Sequence, residues 1–540
     1  MPAPTFCPDC RLRRRLTFRN ERKLYKRKCD FSNKDIISIY HKESPYKVYD
    51  QKIWWSDKWD PMEYGREYDF KRPFFEQFKE LMREVPVQEL NVSNNQNCNY
   101  CSNTGDSKNC YLVFGSTFCE NLMFADRCVR CKDCLDLYLI DKGELCYESL
   151  FCRNCFKLFF SKYCEDCSDS TFLLNCRNCQ SCFGCVNLRH KQYCIFNTPY
   201  TKKDYYQKIK ELNLGSYSNL INIKKEFGKF SLEYPYRYAY IIKSKNIVGD
   251  NILYPAKDCF YCFETTGDLE DCKYVTYAGY QLKDSYDCFA SGINAELLYE
   301  IIVGIISANS QCCVELKNSY NIRYSMVCHS SFNLFACVGL RHKKYCILNK
   351  QYTKEEYNEL VPKIIEHMNK QPYVDKKGRI YKYGEFFPIE LSPFAYNETI
   401  ANEYFPLTKE QALKQGYSWY DKPKNEYKPT IKAKDLPDNI KDANNSILKE
   451  VIECDSKQCV GSNVFRIIPQ ELKFYKKMNL PLPRLCPDCR HRERIKQRNP
   501  LKLWKRQCMN KGCSNKFQTT YAPDRPEIVY CEECYLKEVG

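Results

Sequence analysis

The most regular buried-type pattern in the chain is a lattice of cysteines. Between Cys98 and Cys194 there are seventeen, and every gap between neighbours is a multiple of three. The finer unit is nine. Cys101, Cys110, Cys119, Cys128, Leu137, Cys146, Cys155, Cys164, Leu173 and Cys182 are ten consecutive steps occupied only by Cys or Leu. A helix repeats at 3.6 residues and a strand at 2, so neither alone produces this spacing. A β-solenoid with nine-residue half-turns would, because stacked coils place equivalent residues in one internal column. A second copy begins at Cys259 and Cys262 and closes with CVGLRHKKYC at Cys337 to Cys346, against CVNLRHKQYC at Cys185 to Cys194. The offset between copies falls from 161 to 152 residues, a shortfall read as one nine-residue unit.

Around these copies the pattern changes to helical and aromatic. Pro73 opens an amphipathic helix with Phe74, Phe78 and Leu81 on one face, expected with the aromatic stretch Trp54 to Tyr68 to cap the first coil. Thr201 and Thr353 are N-caps of helices that follow the two copies. Residues 373–452 are rich in Pro and aromatics, with a short helix from Thr408 to Gln415 stopped by Gly416, and read as a strap along the solenoid. The expected fold is mainly β with α: two cysteine-rich β-solenoid segments flanked by zinc-ribbon-like modules and connecting helices. Its divisions are a degenerate basic module (1–55), an aromatic cap and helix (56–92), solenoid copy 1 (93–200), a helical connector (201–250), solenoid copy 2 (251–350), a helix (351–372), the strap (373–452) and a double zinc-ribbon module (453–540).

Composition narrows the setting. No stretch of 18 apolar residues is present, and no apolar signal core follows the N-terminal Met. A cytoplasmic protein is expected, in which 37 cysteines are mostly reduced and serve as metal ligands or buried thiols. The net charge is +17. Most of it falls in two windows, Cys7 to Cys29 with ten basic against two acidic residues and Cys486 to Cys508 with eight against two. The windows are copies offset by 479 residues, CPDCRLRRRLTFRNERKLYKRKC and CPDCRHRERIKQRNPLKLWKRQC. In each, three arginines recur at i, i+4, i+8: Arg11, Arg15, Arg19 and Arg490, Arg494, Arg498. On a helix they would share one stripe. With Trp504, Lys505 and Arg506 on a following strand, this stripe suits phosphates and unpaired bases. The expected partner is therefore a nucleic acid, RNA ahead of DNA. The plain alternative is a solvated basic face, or one that meets an acidic protein in an assembly scaffold.

Four cysteine pairs close the chain: Cys454 and Cys459, Cys486 and Cys489, Cys508 and Cys513, Cys531 and Cys534. Short turns with two sulfurs each suit zinc, which takes thiolates in tetrahedral sets of four. Two zinc ions per chain are expected, one on 454/459/486/489 and one on 508/513/531/534, with cross-braced pairing as the alternative. Four thiolates leave no position for water, so the sites read as structural. Cys454 to Arg490, with CDSKQC, FRIIPQELKFYKK and PRLCPDCR, resembles the zinc-ribbon domain. The whole chain resembles cysteine-rich zinc-ribbon proteins of candidate-phylum bacteria, a resemblance that implies zinc and no activity. The N-terminal copy departs from the pattern, since Ser32, Asp50 and Ile53 stand where the C-terminal copy has Cys513, Cys531 and Cys534. Little or no zinc is expected there.

The run CRNCQSCFGC at Cys176 to Cys185 raises an iron-sulfur or redox reading. The second copy argues for packing instead, because Cys146, Cys164 and Cys182 are answered by Leu298, Leu316 and Leu334. Leucine binds no metal and fills the same space. No phosphate loop, nucleophile elbow or HExxH is present, and a non-enzymatic role is expected.

Overall fold

Triplets, not nine-residue half-turns, build the solenoid. The computed structural model describes residues 2–128, 131–132, 138–140, 143–144, 156–423 and 427–540. Leu137, Cys146 and Cys155 of the nine-residue column lie outside them. Among the described residues of the first copy every third one turns a corner in the left-handed region, from Asn94, Asn97 and Tyr100 to Phe124 and from Lys157 to Asn187, His190 and Tyr193. The residue after each corner points inward. Cys101, Cys110, Val113, Cys119 and Leu122, and later Cys164, Cys167, Leu173, Cys176 and Cys179, form one buried cluster at a single phase of three. Four triplets close a coil, so parallel strands pair at a register of 12: Ser102 with Phe114, Phe114 with Asp126, Phe156 with Ser168.

A 12-residue coil explains both spacings. Inward positions recur every three residues, so the gaps are multiples of three. Residue i+9 lies in the next coil, one side short of directly above, and its carbonyl accepts the thiol of residue i: Cys167 to the Cys176 oxygen at 3.3 Å, Cys176 to the Cys185 oxygen at 3.5 Å. The nine-residue shortfall has a different origin from the one expected. Cys98 and Cys194 are 96 residues apart, eight times the register of 12 that the described pairs of the first copy keep, whereas Cys259 to Cys346 takes three steps of 13, as from Leu269 to Leu282, and four of 12, as from Leu334 to Cys346. One coil fewer, partly refilled by three extra residues, leaves nine.

Non-glycine residues at left-handed corners are strained unless local bonds compensate. Asparagine supplies them: Asn97 Nδ2 donates to Asn109 Oδ1 at 2.8 Å and Asn109 to Asn121 at 3.1 Å, a ladder along one edge. Both copies end alike. Asn197 and Asn349 pair through their side-chain amides with the backbones of Val186 and Val338, and the helices Lys202–Glu211 and Lys354–Lys370 follow with Thr201 and Thr353 as caps.

The column thiols are packing groups with one hydrogen-bonding proton. Cys164 is fully buried and donates to the Lys162 carbonyl at 3.2 Å; its counterpart Leu316 is 1% exposed. Cys164→Leu should therefore keep nearly the parent stability, whereas Cys164→Asp leaves an unpaired buried carboxylate and should cost several kcal/mol. Thermal denaturation of the two variants checks this, and equal stability would place the column in solvent.

The chain forms two units, each assembled from two distant segments: residues 1–91 with 239–421, and residues 92–238 with 422–540. Each unit thus holds one solenoid copy and one end module. The second copy starts within the expected connector, since its first long strand is Lys245–Ile252. The helix Phe74–Glu84 does form, but it covers the second copy rather than the first coil. Phe74 meets Tyr324 and Phe335 with ring centroids 5.3 and 5.6 Å apart, and Phe78 stacks on Phe387 of the strap. The short strap helix is Lys409–Lys414, capped by Thr408 and stopped at Gly416 with φ of 89°.

Candidate metal centres

Cys454, Cys459, Cys486 and Cys489 gather in one group and Cys508, Cys513, Cys531 and Cys534 in another, with the sulfurs of each group within 4.8 Å of one another. The pairing is sequential, not cross-braced. Cys459 and Cys486 sulfurs are 3.6 Å apart, Cys459 and Cys489 3.5 Å, Cys513 and Cys531 3.9 Å. Zinc–sulfur bonds of about 2.3 Å in a tetrahedron give an edge of about 3.8 Å, so the groups fit a tetrahedral metal ion.

Local structure sets this geometry. Cys486 and Cys531 are N-caps of the helices Pro487–Ile495 and Glu532–Val539, which place Cys489 and Cys534 in the first turn. The backbone N–H of Cys486 donates to Cys454 Sγ at 3.2 Å and that of Cys531 to Cys508 Sγ at 3.3 Å, bonds that favour the thiolate. Hydrogen bonds from Cys459 and Cys486 pull the Cys454 thiol down to about 3, while Cys486 is pushed up in return. A Cβ at Gly461 would stand 2.8 Å from Cys486 Sγ, so only glycine fits there. Among the described residues, no other group of three or more His, Cys, Asp or Glu brings its ligand atoms this close.

The N-terminal module keeps the frame of the second group with other chemistry. Ser32 Oγ donates to Asp50 Oδ2 at 3.0 Å, and Cys29 Sγ accepts the Asp50 N–H at 3.3 Å, as Cys508 accepts that of Cys531. Burial would raise the Asp50 carboxyl, but bonds from the Ile53 N–H, Ser32 and Cys29 hold it low. Cys7 and Cys10, at the places of Cys486 and Cys489, are exposed and half-buried.

The arginine stripes are not surface features. Both helices form, at Pro8–Leu16 and Pro487–Ile495, but Arg11, Arg15, Arg19, Arg490 and Arg494 are all at most 6% exposed and Arg498 is half-buried. In the first unit two of the acids they face, Asp287 and Glu300, stand on corners of the solenoid, one, Glu385, on the strap, and one, Glu21, in the module itself. Arg11 pairs with Asp287 at 3.0 Å, Arg15 with Glu300 at 2.7 Å and Asp287 at 3.1 Å, and Arg14 with Glu300 at 3.3 Å and Glu385 at 3.0 Å. Arg19 pairs with Glu21 and lies over Phe289. In the second unit Arg490 pairs with Glu471 at 3.1 Å, and its guanidinium sits 4.6 Å over the Phe124 ring. Partners so distant in sequence were invisible to the helical spacing, which marks a face but not what covers it. Of the remaining basic candidates, Lys505 is exposed, and Trp504 and Arg506 are half-buried on the strand Trp504–Gln507.

One docking residue was missed although its motif recurs. The LRHK arginine of the second copy, Arg341, lies 5.2, 5.8 and 5.7 Å over Trp54, Trp55 and Trp59. Its counterpart in the first copy, Arg189, is beside Tyr535, which occupies the place of Trp54. Next to this tryptophan group, His329 has neither ring nitrogen hydrogen-bonded, and burial together with Lys317, Arg341 and His342 pushes it down to about 4. The unfolded chain takes up this proton near pH 6.5, the folded one near 4. Stability should fall by about 2–3 kcal/mol as pH drops through that window, and His329→Phe should flatten the fall in a pH series of denaturant melts.

Comparison with protein-family models, with curated proteins and with solved structures finds no match. Among the described residues no helix is long and apolar enough to cross a membrane.

Proposed function

We propose that both cysteine groups hold zinc and that the chain is a non-enzymatic, cytoplasmic assembly scaffold with an acidic protein as partner. The tetrahedral spacing and the zinc-ribbon likeness of Cys454 to Arg490 support zinc; four thiolates per ion assign it a structural role. The observation that favours a scaffold is the burial of the arginines, which act as internal fasteners between module and solenoid. An ion pair uses one charge of each sign, so the +17 excess stays outside these pairs and suits an acidic partner.

A second reading, RNA binding, has a specific surface in its favour. The hairpin of Trp504–Gln507 with Lys516–Thr519 exposes Lys505 and Lys516 on one face, and Lys502 lies 5.2 Å over Trp504. One experiment separates the two. Under the scaffold reading, Lys505→Gln with Lys516→Gln leaves single-stranded RNA binding unchanged at every salt concentration. A loss of affinity with a log-log salt slope flatter by about 1.4–1.8 would replace the scaffold with an RNA-binding protein.

A further inference from the structure

The second unit contains a cavity of about 360 Å³ between the corners of its solenoid, the helix Tyr217–Ser231 and the end module. Three cations line it, Lys162, Lys224 and Arg525, against one acid, Glu527. Arg525 is already bound to Glu527, whereas the ammonium of the half-buried Lys162 has no hydrogen-bond or ion-pair partner among the described residues and feels Glu527 only through its charge. Burial, with Arg525 adding to it and Glu527 opposing, pushes Lys162 down to about 8. The rest of the lining is largely aromatic: Phe160 stacks on Phe172 at 4.7 Å, Phe172 meets Phe227 at 5.6 Å, and the Lys224 ammonium lies 4.4 Å over the Phe160 ring.

The first unit shows that the fold does not require this cavity. At the offset of 152 residues, Lys162 and Phe172 become Val314 and Tyr324; on the module side, Gln497 and Glu527 become Phe18 and Tyr46. All four are buried in one apolar core with Phe74 and Phe75. The same frame is therefore packed solid in one unit and held open, cationic and aromatic in the other. An unpaired lysine in a partly dry cavity destabilises a protein, and a bound anion would remove that cost.

We propose that this cavity is a binding site for a nucleoside monophosphate, with the base against the phenylalanine wall and the phosphate on Lys162, Lys224 and Arg525. Its volume lies at the small end of the range for ligand pockets, about 300–1,000 Å³, which admits one nucleotide and excludes a duplex. Three cations against one acid suit a dianion better than a carboxylate. The proposal goes beyond the scaffold reading and does not depend on it.

The test is calorimetric titration of the full chain with AMP, GMP, CMP and UMP. At least one should bind, and adenosine or the matching nucleoside should bind at least about tenfold more weakly. Lys162→Met should weaken the nucleotide by about tenfold or more while the fold survives, since the first unit carries valine there; Lys162→Arg should retain most of the affinity, and a change at the exposed Lys449, Lys449→Met, all of it. A 5′-phosphorylated RNA trinucleotide that binds more tightly than the mononucleotide would assign the same pocket to a strand end, and one that binds more weakly to the free nucleotide. Absence of binding by all four nucleotides, or parental affinity in Lys162→Met, overturns the proposal.

Discussion

Replacing Cys486 with Ser should lower the metal content of the purified chain from about two zinc ions to about one. The effect is the largest expected for any single change, because the binding free energy of a structural zinc, about 10–16 kcal/mol, is also folding free energy. Cys486 is simultaneously a ligand candidate, the N-cap of Pro487–Ile495 and a neighbour of Gly461 in the knuckle. Losing it should release the segment from Cys454 to Cys489, detectable as rapid amide exchange there, while 508/513/531/534 keeps its ion and the N-terminal module, held by Ser32 and Asp50, is unchanged. Unaltered zinc content measured by mass spectrometry would show that the four sulfurs are not one site.

Glu300→Leu should be the most damaging change that touches no cysteine. Glu300 is fully buried and receives both Arg14 and Arg15. Burial pushes its carboxyl up and the two arginines oppose that; Arg15 in turn is held above its ordinary value by Glu300 and Asp287 despite its own burial. Removing one partner of a buried pair leaves uncompensated charge and costs about 3–5 kcal/mol, whereas removing both can be nearly neutral. Arg15→Leu combined with Glu300→Leu should therefore recover part of the loss. The readout is amide exchange of the helix Pro8–Leu16 in the parent, single and double variants, because it reports the docking of that helix directly. If Glu300→Leu leaves that exchange unchanged, the ion pairs do not hold the module.

What the sequence disclosed depended on how local its cause was. The two cysteine groups were legible because each knuckle lies within six residues, and their pairing follows chain order. The solenoid was legible in its period but not in its coil. Inward Cys and Leu announce themselves, whereas left-handed corners are filled by Asn97, Tyr100, Leu112 and Phe124, among which only asparagine hints at that backbone. The nine-residue column recorded a diagonal between coils, which composition cannot tell from a half-turn. The arginine helices were placed correctly and misassigned to solvent, since the acids that cover them are set by the tertiary arrangement.

The assembly of each unit from separated segments makes the two arginine helices unequal during synthesis. Arg490 emerges from the ribosome after its solenoid copy, with Glu471 and Phe124 already made. Arg15 precedes Glu300 by 285 residues. At about 5–20 residues per second it waits roughly 15–60 s for its partner. Throughout that interval Arg11, Arg14 and Arg15 precede the acids that receive them, Asp287, Glu300 and Glu385, an order of synthesis that the C-terminal copy does not share.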